Sequence, residues 1–373
     1  AIDYLQPDAE RQRLGKRRIE AVWRDDTAAE LPLLLGGMGD PPTTADPYPW
    51  QRFDHAEQFH DADKMLVEAA WTLPEAQGHP EARGDSQLAV RANFDTVVTA
   101  TTFGVEARAL PHTPPWIDAH LSRDETLKAL AWLDPTTAPE RRLGAAALVR
   151  SAYFQEQLAG KARVFSVNNQ SPLDIAHQVR GEDLYLDMYD DPPFVHELLA
   201  ACAEAFIAMA RAFKRVLGEE DNESWDGACY RTGCGAAAAD DTATALSPHL
   251  FAEFALPYDQ RVFAPFAGGQ VHFCGKAQHI IDGYLQAEEV RAINLGQPML
   301  YDQPEPASRM RDADKGYVGA WPTEKGESLD AYLLRVLGPK GQPHRRQILS
   351  LRGHEFGIPP EQIADRWYAH QQQ

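Results

Sequence analysis

One short run in the sequence, Val271-His272-Phe273-Cys274-Gly275, combines residue types that bind metals. In a β-strand, residues two apart point to the same side, so the side chains of His272 and Cys274 are expected to lie together. Imidazole nitrogen and thiolate sulfur are both common ligands of zinc. A free cysteine is also often only a small buried side chain. The run therefore predicts half of a metal site, whose other ligands must come from elsewhere in the chain.

Further polar side chains come directly after segments that have the composition of buried strands, or between such a strand and the helix that follows it. These candidate site residues are Asn168, Gln170, Asp240, Asp241, Asn294, His354 and Glu355. In α/β barrels the active site lies at the carboxyl ends of the strands, which brings residues from distant segments to one mouth. The positions of these residues therefore predict a single polar site.

The elements that must position this site alternate between strand and helix. Predicted strands cover residues 30–37, 95–103, 163–167, 227–230, 270–273, 290–295, 317–321 and 347–351. Predicted helices cover residues 5–24, 55–73, 196–217, 247–266, 277–285, 329–337 and 359–370. This alternation is typical of a parallel sheet covered by helices. There is no glycine-rich dinucleotide fingerprint and no clear linker, so we predict one (β/α)8 TIM barrel over residues 1–373, with residues 1–30 as an N-terminal helical extension.

The charge and the cysteine content of the chain disfavour several classes of function. The chain has 55 acidic and 36 basic residues, a formal net charge of -19, and this surface disfavours nucleic-acid binding. Four cysteines in 373 residues do not form a disulfide scaffold. The sequence shows neither a signal peptide nor a membrane-spanning pattern, so we expect a cytoplasmic protein that binds a small molecule.

The order of several motifs resembles the uroporphyrinogen decarboxylase-like superfamily, and most closely its zinc-dependent corrinoid (methylcobamide) methyltransferases. These motifs are Asp240-Asp241, Ser247-Pro248-His249-Leu250-Phe251, Pro257-Tyr258 and His272-x-Cys274-Gly275. In that branch the last strand ends in Gly-Cys-Glu, and its cysteine is the third zinc ligand. This chain has Gly353-His354-Glu355 at the matching place.

The resemblance implies a Zn²⁺ ion held by His272, Cys274 and His354. Asp241 and Glu355 are then expected to be catalytic carboxylates or further oxygen ligands, and the predicted substrate contacts are Asn168, Gln170, Asp240 and Asn294. Asn294 is alternatively expected to form a hydrogen bond that orients a metal ligand.

The activity that this resemblance implies is methyl transfer to a thiol or a similar nucleophile. The methyl donor would be a corrinoid, carried by a partner protein because the chain has no Asp-x-His-x-x-Gly segment, or a small methyl compound. Two alternatives stay open, because one fold hosts many functions. One is a decarboxylase, another lyase or a metal-dependent hydrolase on the same barrel. The other is a non-enzymatic protein that binds a tetrapyrrole or a small acid.

Overall fold

The computed structural model describes residues 2–26, 29–35, 51–73, 84–302, 305–341, 346–351 and 356–372. The α-helices are α1 (Ala9–Trp23), α2 (His55–His60), α3 (Ala62–Trp71), α4 (Val98–Thr101), α5 (Arg123–Trp132), α6 (Arg142–Leu158), α7 (Pro172–Arg180), α8 (Asp183–Asp190), α9 (Pro192–Leu217), α10 (Pro248–Phe254), α11 (Leu256–Phe263), α12 (Gln278–Gln286), α13 (Glu305–Asp312), α14 (Leu329–Leu337) and α15 (Pro360–Gln371). The strands are β1 (Leu33–Leu35), β2 (Ala89–Val90), β3 (Ala107–Leu110), β4 (Thr113–Ile117), β5 (Arg163–Val164), β6 (Glu223–Asp226), β7 (Cys229–Thr232), β8 (Ala236–Ala239), β9 (Gly269–Phe273), β10 (Val290–Leu295), β11 (Gly316–Gly319) and β12 (Gln347–Leu351).

A parallel sheet of six strands, in the order β1-β12-β11-β10-β9-β8, forms the centre of this mixed α/β protein. Beyond β8, Gln170 forms a parallel bridge with Ala239. β2 and β5 form a separate parallel pair, and the Asp85 N–H donates to the Leu33 carbonyl oxygen at 2.6 Å. Backbone hydrogen bonds therefore extend from both edges of the six-stranded sheet.

The two faces of the sheet carry two apolar clusters, because side chains alternate along each strand. Val271 and Phe273 of β9 are fully buried in the larger cluster, which includes the covering helices. The smaller cluster contains Leu34, Ala89, Phe165 and Ile348, and Val318 packs against it. His272 lies between Val271 and Phe273, so its side chain points to the same face as the smaller cluster. We call this face the inner face.

The longest helix, α9, packs within the protein. Asp191 caps its first turn by accepting a hydrogen bond from the Phe194 N–H, and Gly218, at φ 68°, ends it in the left-handed conformation. Among the described residues it is the only helix long and apolar enough to cross a membrane by length and composition. Most of that apolar stretch is buried against neighbouring helices such as α6, α7 and α11, as expected for a core helix.

Three sequence predictions about these elements are wrong, and a fourth is displaced. Residues 95–103 contain the buried helix α4 and no strand. Residues 55–73 form two helices, because Asp61 takes an extended conformation and caps α3 with its carboxylate. Residues 247–266 are interrupted at Ala255, since Pro257 cannot continue a helix from the preceding turn. The predicted strand at 227–230 is displaced: residues 227–228 form the turn of the antiparallel β6–β7 hairpin, with Gly227 at φ 52°, and β7 begins at Cys229.

Candidate metal centre

His272 and Cys274 come together at the carboxyl end of β9. The Cys274 Sγ lies 3.5 Å from His272 Nε2, as the two-residue period of a strand predicts. Gly275 follows with φ 102°, a conformation that a residue with a side chain rarely adopts, and turns the chain towards α12. Both side chains are only partly buried, so solvent and ligands can reach them.

Asp241 adds a third ligand atom from the neighbouring strand. It follows β8, which pairs with β9, and its Oδ1 accepts the Cys274 N–H at 2.6 Å. The same oxygen lies 3.8 Å from His272 Nε2. The oxygen, nitrogen and sulfur atoms all lie within 4.8 Å of one another. Asp241, expected to be catalytic, is thus positioned as a possible ligand.

The spacing of these atoms fits a tetrahedral zinc ion. Zn–S and Zn–N bonds of about 2.3 and 2.05 Å at a tetrahedral angle separate sulfur from nitrogen by about 3.5 Å. The observed Cys274–His272 separation is 3.5 Å. The corresponding nitrogen–oxygen separation is about 3.4 Å, and the observed separation between His272 and Asp241 is 3.8 Å. The third separation, between Cys274 Sγ and the Asp241 carboxylate, is no more than 4.8 Å.

Electrostatics at the triad favour a cation. Burial and, after it, the adjacent Asp241 carboxylate together raise the pKa of the Cys274 thiol to about 11. The physical reason is that a thiolate here would be poorly solvated and would face a second negative charge. A divalent cation between the two groups removes this repulsion and deprotonates a coordinating thiol.

Asn294 fixes the orientation of the His272 ring. Its side-chain oxygen forms a short hydrogen bond with His272 Nδ1, and its amide nitrogen donates to the Val318 carbonyl oxygen on the next strand. The second bond identifies the oxygen as the atom facing the imidazole, so Nδ1 must carry the proton. His272 Nε2 then has its lone pair free for a metal.

Gly296 provides the space in which the two ligands of β9 meet. A Cβ atom added at this position would lie 2.6 Å from Cys274 Sγ and 2.8 Å from His272 Cε1. Its φ is outside the left-handed region, so glycine is needed here for space alone. Only a residue without a side chain leaves both ligands in place.

Asp240, the residue before Asp241, belongs to a buried polar network. Its carboxylate accepts hydrogen bonds from the hydroxyls of Ser171 and Tyr284, each at 2.7 Å, and its side chain is fully buried. The Tyr284 hydroxyl also lies 2.7 Å from Asp259. Burial raises the pKa of both Asp240 and Asp259, which favours retention of a proton by this carboxyl pair. The structure therefore places Asp240 in a supporting network and separates it from the ligand atoms.

A residue absent from the predicted site, Asp174, holds the Asp241 segment. Its two carboxylate oxygens accept the backbone N–H groups of Asp241 at 3.1 Å and Thr242 at 2.8 Å. Burial raises the pKa of Asp174 to about 8. Its place in the first turn of α7, three residues after the capping Ser171, is the local sequence signal that was available for finding it.

The remaining predicted residues divide into two groups. Asn168 and Gln170 follow β5, and the bridge between Gln170 and Ala239 directs the glutamine side chain to the inner face. His354 and Glu355 lie outside the described residues. The structure thus brings together Asp241, His272 and Cys274 as a triad, with Asn294 behind the imidazole.

Comparisons with known proteins give one finding, on the fold. The chain matches no protein-family model, and a sequence search of curated proteins found no match. It shares its fold with a methyltransferase from Methanosarcina mazei. The two structures agree with a TM-score of 0.63 over 95% of this chain and 98% of the other, and the sequences are 14% identical. At this identity the likeness concerns the fold, so function must be argued from the site.

Proposed function

We propose that this chain is a zinc-dependent methyltransferase that transfers a methyl group to a thiol. The observation that carries the proposal is the convergence of one ligand atom each from Asp241, His272 and Cys274 within 4.8 Å of one another. Nitrogen, sulfur and oxygen ligands are those that zinc accepts, and three protein ligands leave a fourth position for substrate. The shared fold with a methyltransferase is consistent with this assignment.

The proposal includes a single closed barrel, with residues 1–30 as an N-terminal extension. Eight parallel strands are available for it: β1, β2, β5 and β8 to β12. The Gln170–Ala239 bridge supports the junction of β5 with β8, and the hydrogen bond from Asp85 to Leu33 supports that of the β2 segment with β1. In such a barrel the triad lies at the carboxyl ends of its strands, where barrel enzymes have their active sites.

The chemistry needs an ionised thiol at neutral pH. A free thiol has a pKa of about 8.5, and coordination by a bound zinc ion lowers it. The sulfur of the substrate thiol would then form a bond to the methyl carbon, while the bond between that carbon and its carrier breaks. The electron pair of the broken bond stays with the carrier, and the thiol proton is released to solvent.

The residues of the chain have separate tasks in this scheme. Asn294 keeps the imidazole in one tautomer, and Asp174 holds the segment that carries Asp241. We further propose His354 as a ligand and Glu355 as a catalytic carboxylate, on the basis of the Gly-His-Glu segment alone. The proposed donor is a corrinoid on a partner protein.

Metal analysis and a methyl-transfer assay test the proposal. We expect about one zinc per chain in the purified protein, and at least a tenfold loss of affinity in Cys274→Ser and His272→Ala. Comparing Asp241→Asn with His354→Ala identifies which group completes the ligand set. Incubation with methylcobalamin and a small thiol should produce the spectrum of demethylated cobalamin and the methyl thioether.

The matched control is Cys234→Ser, which changes a fully buried cysteine outside the triad. Normal zinc content in this variant, with loss in Cys274→Ser, assigns the metal to the triad. A zinc-loaded protein that leaves methylcobalamin unchanged but consumes water or releases carbon dioxide would be a hydrolase or a decarboxylase. A metal-free protein that binds a tetrapyrrole and catalyses nothing would contradict the proposal altogether.

A further inference from the structure

Two histidines and a glutamate meet on the surface where helices α9 and α10 pack together. Glu253 lies near the end of α10, and its Oε1 is 3.6 Å from Nε2 of His196 on α9. Its Oε2 is 3.5 Å from Nε2 of His249, which lies four residues earlier on the same side of α10. We call these three residues the interhelix cluster. Imidazole nitrogen and carboxylate oxygen are both ligands of zinc in proteins.

The imidazole of His196 is held in one orientation. It stacks on the ring of Phe254, with a centroid distance of 4.8 Å and an interplanar angle of 25°. The Tyr258 hydroxyl donates to the His196 carbonyl oxygen at 3.3 Å and lies 2.8 Å from His196 Nδ1. Because the hydroxyl donates its one hydrogen to the carbonyl oxygen, Nδ1 carries a proton and donates it to the hydroxyl oxygen. A neutral His196 ring therefore presents the lone pair of Nε2 to Glu253.

The nitrogen–oxygen separations within the interhelix cluster are too long for hydrogen bonds. Such hydrogen bonds are about 2.7–3.2 Å long, whereas the two separations are 3.6 and 3.5 Å. Nitrogen and oxygen ligands of one tetrahedral zinc ion lie about 3.4 Å apart, as follows from bonds of about 2.05 Å. The observed separations therefore fit two ligands of one ion better than they fit a hydrogen-bonded pair.

The interhelix cluster needs one side-chain movement to surround an ion. The two imidazoles approach different oxygens of the Glu253 carboxylate, and the three ligand atoms do not all lie within 4.8 Å of one another. The side chain of His249 is 83% exposed, so it can rotate towards Glu253 Oε1 without displacing a packed group. Within the described part of the chain, no lysine or arginine forms an ion pair with Glu253. Its carboxylate is therefore available to a cation.

We propose that His196, His249 and Glu253 form a second metal site, which binds a divalent transition metal such as Zn²⁺ through nitrogen and oxygen atoms. The second site shares no residue with the triad, so this inference does not rest on the proposed function. Ordering the exposed His249 side chain costs conformational entropy, so the second site should bind zinc more weakly than the triad. It should therefore fill only when zinc is added, and the ion should join α9 to α10.

Zinc titration of the full chain without a polyhistidine tag tests the second site. The protein is stripped with a chelator, dialysed and titrated with Zn²⁺ alone in competition with a chromophoric chelator. We expect two ions per chain, one bound tightly and one more weakly. His196→Ala, His249→Ala and Glu253→Gln should each reduce the affinity for the weaker ion by at least about tenfold and leave the tight ion unchanged. Tyr258→Phe should reduce it about 10–100-fold, because His196 loses its fixed tautomer.

The matched control is His112→Ala, which removes an exposed histidine from the β3–β4 turn and should leave both ions bound. A second readout uses Co²⁺ in place of zinc. The ion at the second site should lack the sulfur-to-cobalt absorption band, because none of its ligands is a cysteine. Added zinc should also raise the unfolding temperature of the wild-type protein more than that of His196→Ala, since an ion that binds only the folded chain stabilises it. A purely structural contact between α9 and α10 predicts the same temperature difference with and without zinc.

Two results would overturn the inference. One is a correctly folded Cys274→Ser/His272→Ala protein that binds no zinc, because only the triad is removed in this variant. The other is a weaker ion whose affinity is unchanged in folded His196→Ala and Glu253→Gln. The failure of the proposed function looks different. The weaker ion should then still bind and still depend on His196, whether or not the triad holds zinc and the protein transfers methyl groups.

Discussion

Replacing Gly296 by alanine adds one methyl group at the point where two candidate ligands meet. The new Cβ would lie 2.6 Å from Cys274 Sγ and 3.2 Å from His272 Nε2. Ordinary contacts between such atoms are about 3.5–4.0 Å, so the sulfur must move by about 1 Å. Metal–ligand bonds tolerate deviations of only about 0.2 Å. We expect the thiolate to be lost from the ligand set.

The size of the effect follows from the loss of a ligand. Changing a group that only supports a ligand costs about 10–100-fold in metal affinity. Displacing the ligand itself should cost at least about 100-fold, or about 2.8 kcal/mol. The fold should remain intact, because the φ of Gly296 is open to alanine and the residue is exposed. We therefore expect the unfolding temperature to change by no more than about 2 °C.

Competition with a chromophoric chelator measures the zinc affinity of Gly296→Ala, and circular dichroism measures its unfolding temperature. Gln297→Ala, in the same exposed loop, is the control, since it adds no atom near the sulfur. Wild-type affinity in a correctly folded Gly296→Ala protein would show that Cys274 and His272 do not bind one ion together. The triad would then have to be abandoned.

Three further substitutions test the surroundings of the site. Asn294→Ala should weaken zinc binding about 10–100-fold in the same competition assay, because His272 loses its fixed tautomer. Tyr284→Phe should lower the free energy of unfolding in urea by about 1–3 kcal/mol, since the buried Asp240 loses a donor. Burial raises the pKa of Glu219 from 4.5 to about 7, so the native protein should lose stability as pH rises from about 5 to 7. Glu219→Gln should make that loss smaller in melting curves recorded at both pH values, while the part caused by the raised pKa of Asp174 remains.

Each of these substitutions has an outcome that contradicts its argument. Unchanged zinc affinity in Asn294→Ala would mean that the imidazole needs no support from its Nδ1 side. An unchanged free energy of unfolding in Tyr284→Phe would mean that the Asp240 and Asp259 carboxyl groups need no hydrogen bond from the Tyr284 hydroxyl. If the melting temperature of Glu219→Gln falls between pH 5 and pH 7 as much as that of the wild type, Glu219 does not contribute to the loss of stability.

Local pattern was enough to place His272 and Cys274 on one side of a strand, because strand geometry alone fixes that relation. Helix α14 and strands β10 and β12 also have the bounds that the sequence predicted, since their apolar periodicity and flanking glycines are regular. The prediction of a parallel α/β architecture is confirmed at the level of the six-stranded sheet.

The position of Asp241, the third member of the triad, depends on strand β8, whose residues do not favour a strand by their own propensity. β8 consists of four alanines, Ala236–Ala239, and alanine is the strongest helix former. Its strand conformation comes from pairing with β9, a contact between distant parts of the chain. Without β8, Asp241 was expected near the metal only from the motif resemblance, and no local pattern placed it beside Cys274.

The same limitation applies to strand β2. β2 has only two residues, Ala89 and Val90, and no periodic pattern can be detected over so short a stretch. The opposite error, the strand predicted at residues 95–103, arose because Val and Thr favour strands locally while burial imposed helix α4.

The hydrogen bond from the Cys274 N–H to Asp241 has a practical consequence. Two donor groups belong to one strand, and the third is tied to the backbone of that strand, so the site is assembled before any ion arrives. Small zinc domains collapse when chelated, whereas this protein should stay folded when emptied. It should therefore accept Co²⁺ or Cd²⁺ in dialysis, giving a visible absorption band or a ¹¹³Cd resonance that reports directly on sulfur coordination.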